Sequence, residues 1–498
     1  MSRSRRRVAT AVLAVAAAAA AVAADAAPRA PADTWAEIRG AGSAAAAGDV
    51  DGDGHPDVIV SRGDLVQPPS RGHTWVVLGP WPKGRLTSVR RPVAQGFVIE
   101  GAKPDDLASR SRAAGDVNGD GFDDVIVGAA VAGTGDRPAS GAAYVVFGRR
   151  DVADVHLADF DEGTQTNGFR ITGPYEFSLA GRAVAALGDV NGDGLDDVAV
   201  AAPFAAAVYV VFGKTTTSEV DLAAFETNTQ GVAGYRIDVP APQYDDAVTV
   251  GGAGDVNGDR LADVIVGSIT RWYEDPGTAY VTFGKPTPEP LDLRALGTRG
   301  FAIQGRRPGD ATGYSVAGAG DVNGDGFGDV VVGAPRISYH VPGRAAVVFG
   351  AAVSTTVRLA DLGDRGFLIG RGFDGENVGF SVAGVGDVNV DGVPDVALGA
   401  PNASRNGREM SGSVYVIYGR SETDRLNLRK LGRAGYRIDG VFGVPRRCGR
   451  DWAFCPGWFG HSVDGIEDVT GDGRRDLVVG AFAVGWRRLG RSYVIRGR

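Results

Sequence analysis

The sequence predicts an all-β fold: a seven-bladed β-propeller of four-stranded blades, with an N-terminal strand closing the last blade. Three observations predict it. A nine-residue loop rich in Asp, Asn and Gly recurs seven times, starting at residues 49, 116, 189, 255, 321, 387 and 468. The starts lie 67, 73, 66, 66, 66 and 81 residues apart, a period that marks a repeat architecture. Apolar runs of strand length follow each loop, and the 498 residues include 76 Gly but only two Met, a profile of tight turns rather than helices.

The first element is a leader. Arg3, Arg5, Arg6 and Arg7 precede an Ala/Val run from Val8 to Ala24 and a small-x-small site at Ala24-Asp25-Ala26. That order of features predicts a secretory signal peptide over 1–26, then a short linker over 27–32 and the propeller over 33–498. Ser4-Arg5-Arg6-Arg7-Val8 also fits a twin-arginine signal, so either export route is open. No later run reaches membrane-spanning length, and the mature protein is expected to be secreted, soluble and monomeric. The formal charge is −8; removing four arginines and Asp25 with the leader leaves the mature chain near −11, which argues against nucleic acid as a partner.

Within each repeat four strands can be read. The first follows the loop, as in Val125-Ile126-Val127; the second ends in Gly, as in Ala143-Tyr144-Val145-Val146-Phe147-Gly148. The third alternates, as in Gly168-Phe169-Arg170-Ile171, and the fourth, such as Gly313-Tyr314-Ser315-Val316-Ala317-Gly318, leads into the next loop. Four strands per repeat is a propeller blade. The last repeat stops after Ser492-Tyr493-Val494-Ile495-Arg496-Gly497 and lacks an outer strand, while Trp35-Ala36-Glu37-Ile38-Arg39-Gly40 is spare and matches the Gly435–Gly440 pattern. Residues 35–40 are therefore expected to pair into the last blade and close the ring.

These loops, the Phe-Gly and Gly-Ala-Pro elements (Gly333-Ala334-Pro335, Gly399-Ala400-Pro401) and the count of seven resemble the FG-GAP repeats of the integrin alpha-subunit N-terminal propeller. The resemblance covers residues 33–498. It implies the propeller fold and calcium sites, with cell adhesion as an analogy.

The loop chemistry points independently to calcium. A hard dication takes six to eight oxygens, and a tight loop can aim side chains inward at positions 1, 3 and 5, with a backbone carbonyl at 7 and a final carboxylate at 9. Asp-Gly turns need no metal, but three or four acids packed into one turn would repel each other without a counterion. The candidate ligands are Asp49, Asp51, Asp53 and Asp57; Asp116, Asn118, Asp120 and Asp124; Asp189, Asn191, Asp193 and Asp197; Asp255, Asn257, Asp259 and Asp263; Asp321, Asn323, Asp325 and Asp329; Asp387, Asn389, Asp391 and Asp395; Asp468, Thr470, Asp472 and Asp476. Up to seven Ca2+ ions are expected. The first loop alone has four carboxylates, Arg260 replaces a turn glycine and makes the Asp255–Asp263 site the weakest, and Thr470 brings a neutral hydroxyl. With four acids in the first loop and three in each of the others, 22 of the 60 acidic residues are committed to metal, so the acidity says little about partners.

Ligand recognition is expected on the opposite face. Its loops carry Tyr175, Tyr244, Trp272, Tyr273, Tyr339, His340, Trp452, Trp458 and Trp486, aromatics suited to sugars or a protein, or to capping the blades. The longest insertion, residues 439–460, also holds Cys448 and Cys455, which in an oxidising compartment are expected to form a local disulfide. Arg62-Gly63-Asp64 matches an integrin-ligand tripeptide, but a chain this rich in all three residues yields one by chance. None of the five His residues sits in a nucleophile or zinc spacing. The reading is a secreted, calcium-binding adhesion or binding module for an extracellular protein or polysaccharide. The alternative is an extracellular hydrolase or polysaccharide lyase on the same scaffold.

Overall fold

The structure is a computed structural model. It describes the chain except residues 1–30, 32, 63–70, 90–94, 105, 107, 135, 152, 228–232, 241–247, 270–273, 336–341, 371, 406, 442–456 and 483–489. The leader, Cys448, Cys455, Gly63 and Asp64 all lie outside the described residues.

Seven antiparallel sheets follow one another along the chain. Numbered from the axis outwards, so that the strand leading into the loop becomes the first, the strands of the first blade are Ser43–Gly48, Asp57–Arg62, His73–Val77 and Gly96–Glu100. The same order recurs from inner strands at Arg110–Gly115, Ala183–Gly188, Val248–Gly254, Ser315–Gly320, Ser381–Gly386 and Phe459–Ile466. Second strands are flanked by blades on both sides and, after a leading Asp, are almost wholly apolar instead of alternating: all six residues of Asp124–Ala129 are buried. Inner strands are rich in Gly, Ala and Ser, because seven of them converge on one axis. Their hydroxyls tie blade to blade, Thr249 to the Gly313 carbonyl at 2.7 Å, Ser315 to Gly379 at 2.8 Å and Ser381 to Gly460 at 3.0 Å.

Toward the rim a cation of one blade covers an aromatic ring on the outer strand of the blade before it. Arg149 lies over Phe97, Lys214 over Phe169, Lys285 over Tyr235 and Arg420 over Phe367, with the lysines at 4.2 and 3.9 Å from the ring centres. Beyond the expected four strands, six blades carry a short fifth one. In five of them it is a two-residue parallel strand lent by the following blade, such as Val155–His156 beside Gly96–Glu100. These additions cover outer edges that would otherwise offer free backbone groups.

Thr34–Arg39 closes the ring, pairing antiparallel with Arg491–Ile495 from Thr34 opposite Ile495 to Arg39 opposite Arg491. Arg85–Ser88 adds in parallel on its other side. The closing seam also has two side-chain clasps onto the first inner strand: Ser462 accepts the Ala44 N–H at 2.9 Å and Asp464 accepts that of Ala46 at 3.2 Å.

The loop between first and second strands turns twice through left-handed backbone, at positions 4 and 6. Glycine holds both in five of the seven loops, with φ of 75° and 88° at Gly119 and Gly121, for example. Arg260 takes position 6 of the fourth loop at φ 73°, and Val390 takes position 4 of the sixth at φ 61°. A β-branched residue is strained there.

Two outcomes are expected. Ile38 is fully buried in the closing strand, so Ile38→Ala should lower the unfolding free energy by about 2–5 kcal/mol in urea titrations; an unchanged midpoint would show that the strand does not hold the ring. Val390 is 56% exposed and loses little packing on truncation, so Val390→Gly should raise stability by about 1 kcal/mol.

Candidate metal centres

The seven hairpin loops lie at one end of the blades, and each rests on its ninth residue. Asp57, Asp124, Asp197, Asp263, Asp329, Asp395 and Asp476 are all 0% exposed. One oxygen of each accepts the N–H of loop position 2, a valine in every loop, at 2.8–3.0 Å. The other accepts the N–H of the glycine after the third strand, from Gly79 and Gly148 to Gly497, at 2.7–2.9 Å. The Phe-Gly signature is thus the anchor point of the loop: its glycine supplies the amide that the buried carboxylate needs.

The side-chain oxygens of positions 1, 3 and 5 accept N–H groups of their own loop. In the fifth loop Asp321 accepts the N–H groups of Gly324, Asp325 and Gly326 at 2.7–2.9 Å, and Asn323 accepts that of Asp325 at 2.9 Å. Asp325 accepts the N–H of Phe327 at 3.0 Å and the Asn323 amide at 2.8 Å. The second, third and fourth loops repeat this web, and the sixth keeps its position-5 and position-6 bonds to Asp387. In the first, oxygens of Asp49, Asp51 and Asp57 lie within 4.8 Å of one another, the one such acidic group among the described residues.

Burial and neighbouring carboxylates leave these groups short of positive charge. Burial, with the acids at positions 1 and 5 or 3 adding to it, pushes Asp57, Asp197, Asp263, Asp329 and Asp395 up to about 7, Asp124 to about 8 and Asp476 to about 6. An all-oxygen donor set around a buried carboxylate with a raised pKa fits a hard divalent cation.

The two variant loops differ in kind. Arg260 keeps the turn, its N–H reaching Asp255 at 2.8 Å as glycine does elsewhere. In the seventh loop the Thr470 hydroxyl bonds Asp468 at 3.3 Å and Arg496 pairs with Asp472, so a cationic side chain already occupies one candidate ligand.

Position 8 does not stand out in the sequence, yet it links loop to loop. The N–H groups of Asp123, Asp196, Ala262, Gly328 and Arg475 donate to the carbonyls of Asp49, Asp116, Asp189, Asp255 and Asp387 in the preceding loops, at 2.7–3.4 Å. Asp123 and Asp196 return the bond, their carboxylates accepting the N–H groups of Asp49 and Asp116 at 2.8 and 3.0 Å. Pro56 and Pro394 hold position 8 in the first and sixth loops and have no N–H to give.

At the other end of the blades Tyr175, Phe177 and Phe204 stand 41%, 59% and 52% exposed, and the Tyr175 hydroxyl reaches the Phe204 carbonyl at 3.3 Å. Phe177 and Phe204 escape sequence reasoning because phenylalanine in a β protein reads as core. Trp458 is half-buried, its ring near-parallel to those of His461 and Phe482 with centres 6.3 and 6.2 Å away. Trp272, Tyr273, Tyr339, Trp452 and Trp486 lie outside the described residues. Several carboxylates away from the loops have structural partners: Asp161 takes the Tyr144 hydroxyl at 2.9 Å and Arg170 at 3.2 Å, and Glu376 takes Tyr415 at 3.0 Å along with Arg405.

A family model described as "FG-GAP repeat" matches residues 41–76, 111–146, 180–215, 312–344 and 378–417. The two blades it leaves out hold the loops with Arg260 and Thr470. Phosphatidylinositol-glycan-specific phospholipase D of Mus musculus is 33% identical over 172 residues, 34% of this chain and 18% of that protein. Integrin alpha-4 of Xenopus laevis is 29% identical over 234 residues, 46% and 19% of the two chains. Integrin alpha pat-2 of Caenorhabditis elegans is 28% identical over 263 residues, 50% and 20%. The chain thus spans no more than 20% of the length of these three relatives. Five of the seven blades thus match the FG-GAP repeat model, and the seven-bladed β-propeller is similar over part of its length to integrin alpha subunits.

Proposed function

We propose that this protein is a secreted, calcium-stapled propeller that acts as a non-catalytic binding or adhesion module for a cell-surface protein or polysaccharide. The observation that carries the calcium part is the row of seven fully buried aspartates, joined in the first loop by oxygens of Asp49 and Asp51 within 4.8 Å of Asp57. In this reading positions 1, 3, 5 and 9 of each loop, with the position-7 carbonyl, hold the ion. Bound calcium supplies positive charge that offsets carboxylate repulsion and pins the hairpin. The fourth and seventh loops are the weakest, the fourth because Arg260 stands at its turn and the seventh because Arg496 competes for Asp472. The basic, Ala-rich leader over 1–26 supports export. The exposed Tyr175, Phe177 and Phe204 support recognition at the face away from the ions, and similarity to integrin alpha subunits supports adhesion by analogy.

With a dissociation constant of roughly 0.1 mM in millimolar calcium, each site contributes about 1–2 kcal/mol, and several together rival the net stability of a domain. Excess chelator should therefore lower the melting temperature by tens of degrees. The metal-free protein should also melt lower at pH 8 than at pH 5. The position-9 carboxyls bind protons more tightly folded than unfolded, so their contribution is most favourable at low pH and declines as pH rises from about 4 through 7. Calcium should largely abolish that slope, whereas a melt indifferent to chelator at both pH values would refute the calcium role. For recognition, a glycan and cell-surface protein array probed with calcium-loaded protein should give hits that Phe177→Ala with Phe204→Ala weakens tenfold or more; hits unaffected by the double substitution would place recognition elsewhere.

A further inference from the structure

The loops are joined to one another through groups that flank their proposed ligands. Position 8 lies between the carbonyl of position 7 and the carboxylate of position 9, and its N–H ends on the carbonyl of position 1 in the preceding loop. A cation that fixes positions 7 to 9 of one loop therefore fixes the peptide plane between them, and with it the first ligand residue of the preceding site. One hydrogen bond spans the distance.

The junctions are unequal. Loops one to four have a second link as well: the N–H groups of Arg149, Lys214 and Lys285, each just past a Phe-Gly glycine, donate to the position-2 carbonyls of Val50, Val117 and Val190 at 2.7–2.9 Å. The first two of these junctions gain a third bond from the Asp123 and Asp196 carboxylates. Between the fifth and sixth loops Pro394 removes the position-8 donor and only Arg420 to Val322 remains, at 2.7 Å. Between the seventh and first, Pro56 and Pro80 stand where both donors would be, so the ring of loops is open at the seam where the chain closes.

We propose that the cation sites of loops one to four bind as a cooperative block, coupled through the position-8 amide, and that the seam between loops seven and one uncouples the ring. This rests on the calcium reading above. The coupling is a differential ordering energy: an empty neighbour must be ordered by the incoming ion, an occupied one already is. Occupancy of one site should raise the affinity of the next by roughly fivefold or more.

Proline occurs naturally at position 8 in two loops, so the fold accepts it there. Ala262→Pro deletes the bond to Asp189 without touching a proposed ligand, and Pro394→Ala restores a donor facing Asp321. The test is calorimetric titration of the chelator-stripped, full mature chain with calcium. The wild type should bind several ions with a Hill coefficient clearly above 1. Ala262→Pro should bind the same number with a lower coefficient, and Pro394→Ala should raise it. Equal steepness in wild type and both variants, at unchanged stoichiometry, would overturn the coupling and leave the calcium sites standing. No calcium uptake by the wild type would overturn both. If Ala262→Pro fails to fold, Pro394→Ala decides alone: a steeper isotherm supports the relay and an unchanged one refutes it.

Discussion

Everything at the loop face hangs on one buried carboxylate per blade. The position-9 aspartate leaves water completely, which is costly unless both oxygens are met. They are met by two backbone amides, one at the start of its own loop and one at the glycine that ends the third strand. The carboxylate thus ties loop, second strand and third strand together, and explains why Asp and Phe-Gly travel as a pair through the repeat. Two neutral amides do not cancel a charge beside other carboxylates, which is why these groups hold their protons up to about pH 6–8. The divalent cation proposed for each loop would complete the balance that the backbone leaves short.

The fold was largely legible because a repeat states its pattern many times. Seven copies of one loop gave the blade count, and the match between residues 35–40 and 435–440 pointed to the closing strand, which pairs with Arg491–Ile495. The fifth strands were not legible, since two residues such as Val155–His156 carry no periodicity. At the loops, side-chain ligands could be read from residue type, but the role of position 8 could not. It works through its backbone N–H, so Asp, Ala, Gly and Arg all serve, and only the two prolines betray the pattern, by lacking the donor. Val390 went unnoticed for a related reason: its strain is a property of φ, not of its side chain.

The two ends of the propeller differ in character. At the loop end sequence variation is small and chemistry repetitive, as suits the fastening role proposed for it. At the other end the connections differ in length and composition from blade to blade, and the exposed Tyr175, Phe177 and Phe204 come from two neighbouring blades. A rigid ring that presents variable loops is the arrangement by which scaffolds carry recognition. Similarity to integrin alpha subunits and to a phospholipase D, over no more than 20% of the length of those relatives described above, fits a module that is reused in different protein contexts.

The most direct measurement is a crystal structure of the mature chain in calcium, with anomalous scattering recorded at a wavelength where the ion is visible. Anomalous peaks are predicted in the loops, strongest at Asp49–Asp57 and weakest in the Arg260 and Thr470 variants, with oxygens of positions 1, 3, 5, 7 and 9 at about 2.3–2.6 Å. Loops that remain closed by their own hydrogen bonds, with no peak in any of the seven, would contradict the account.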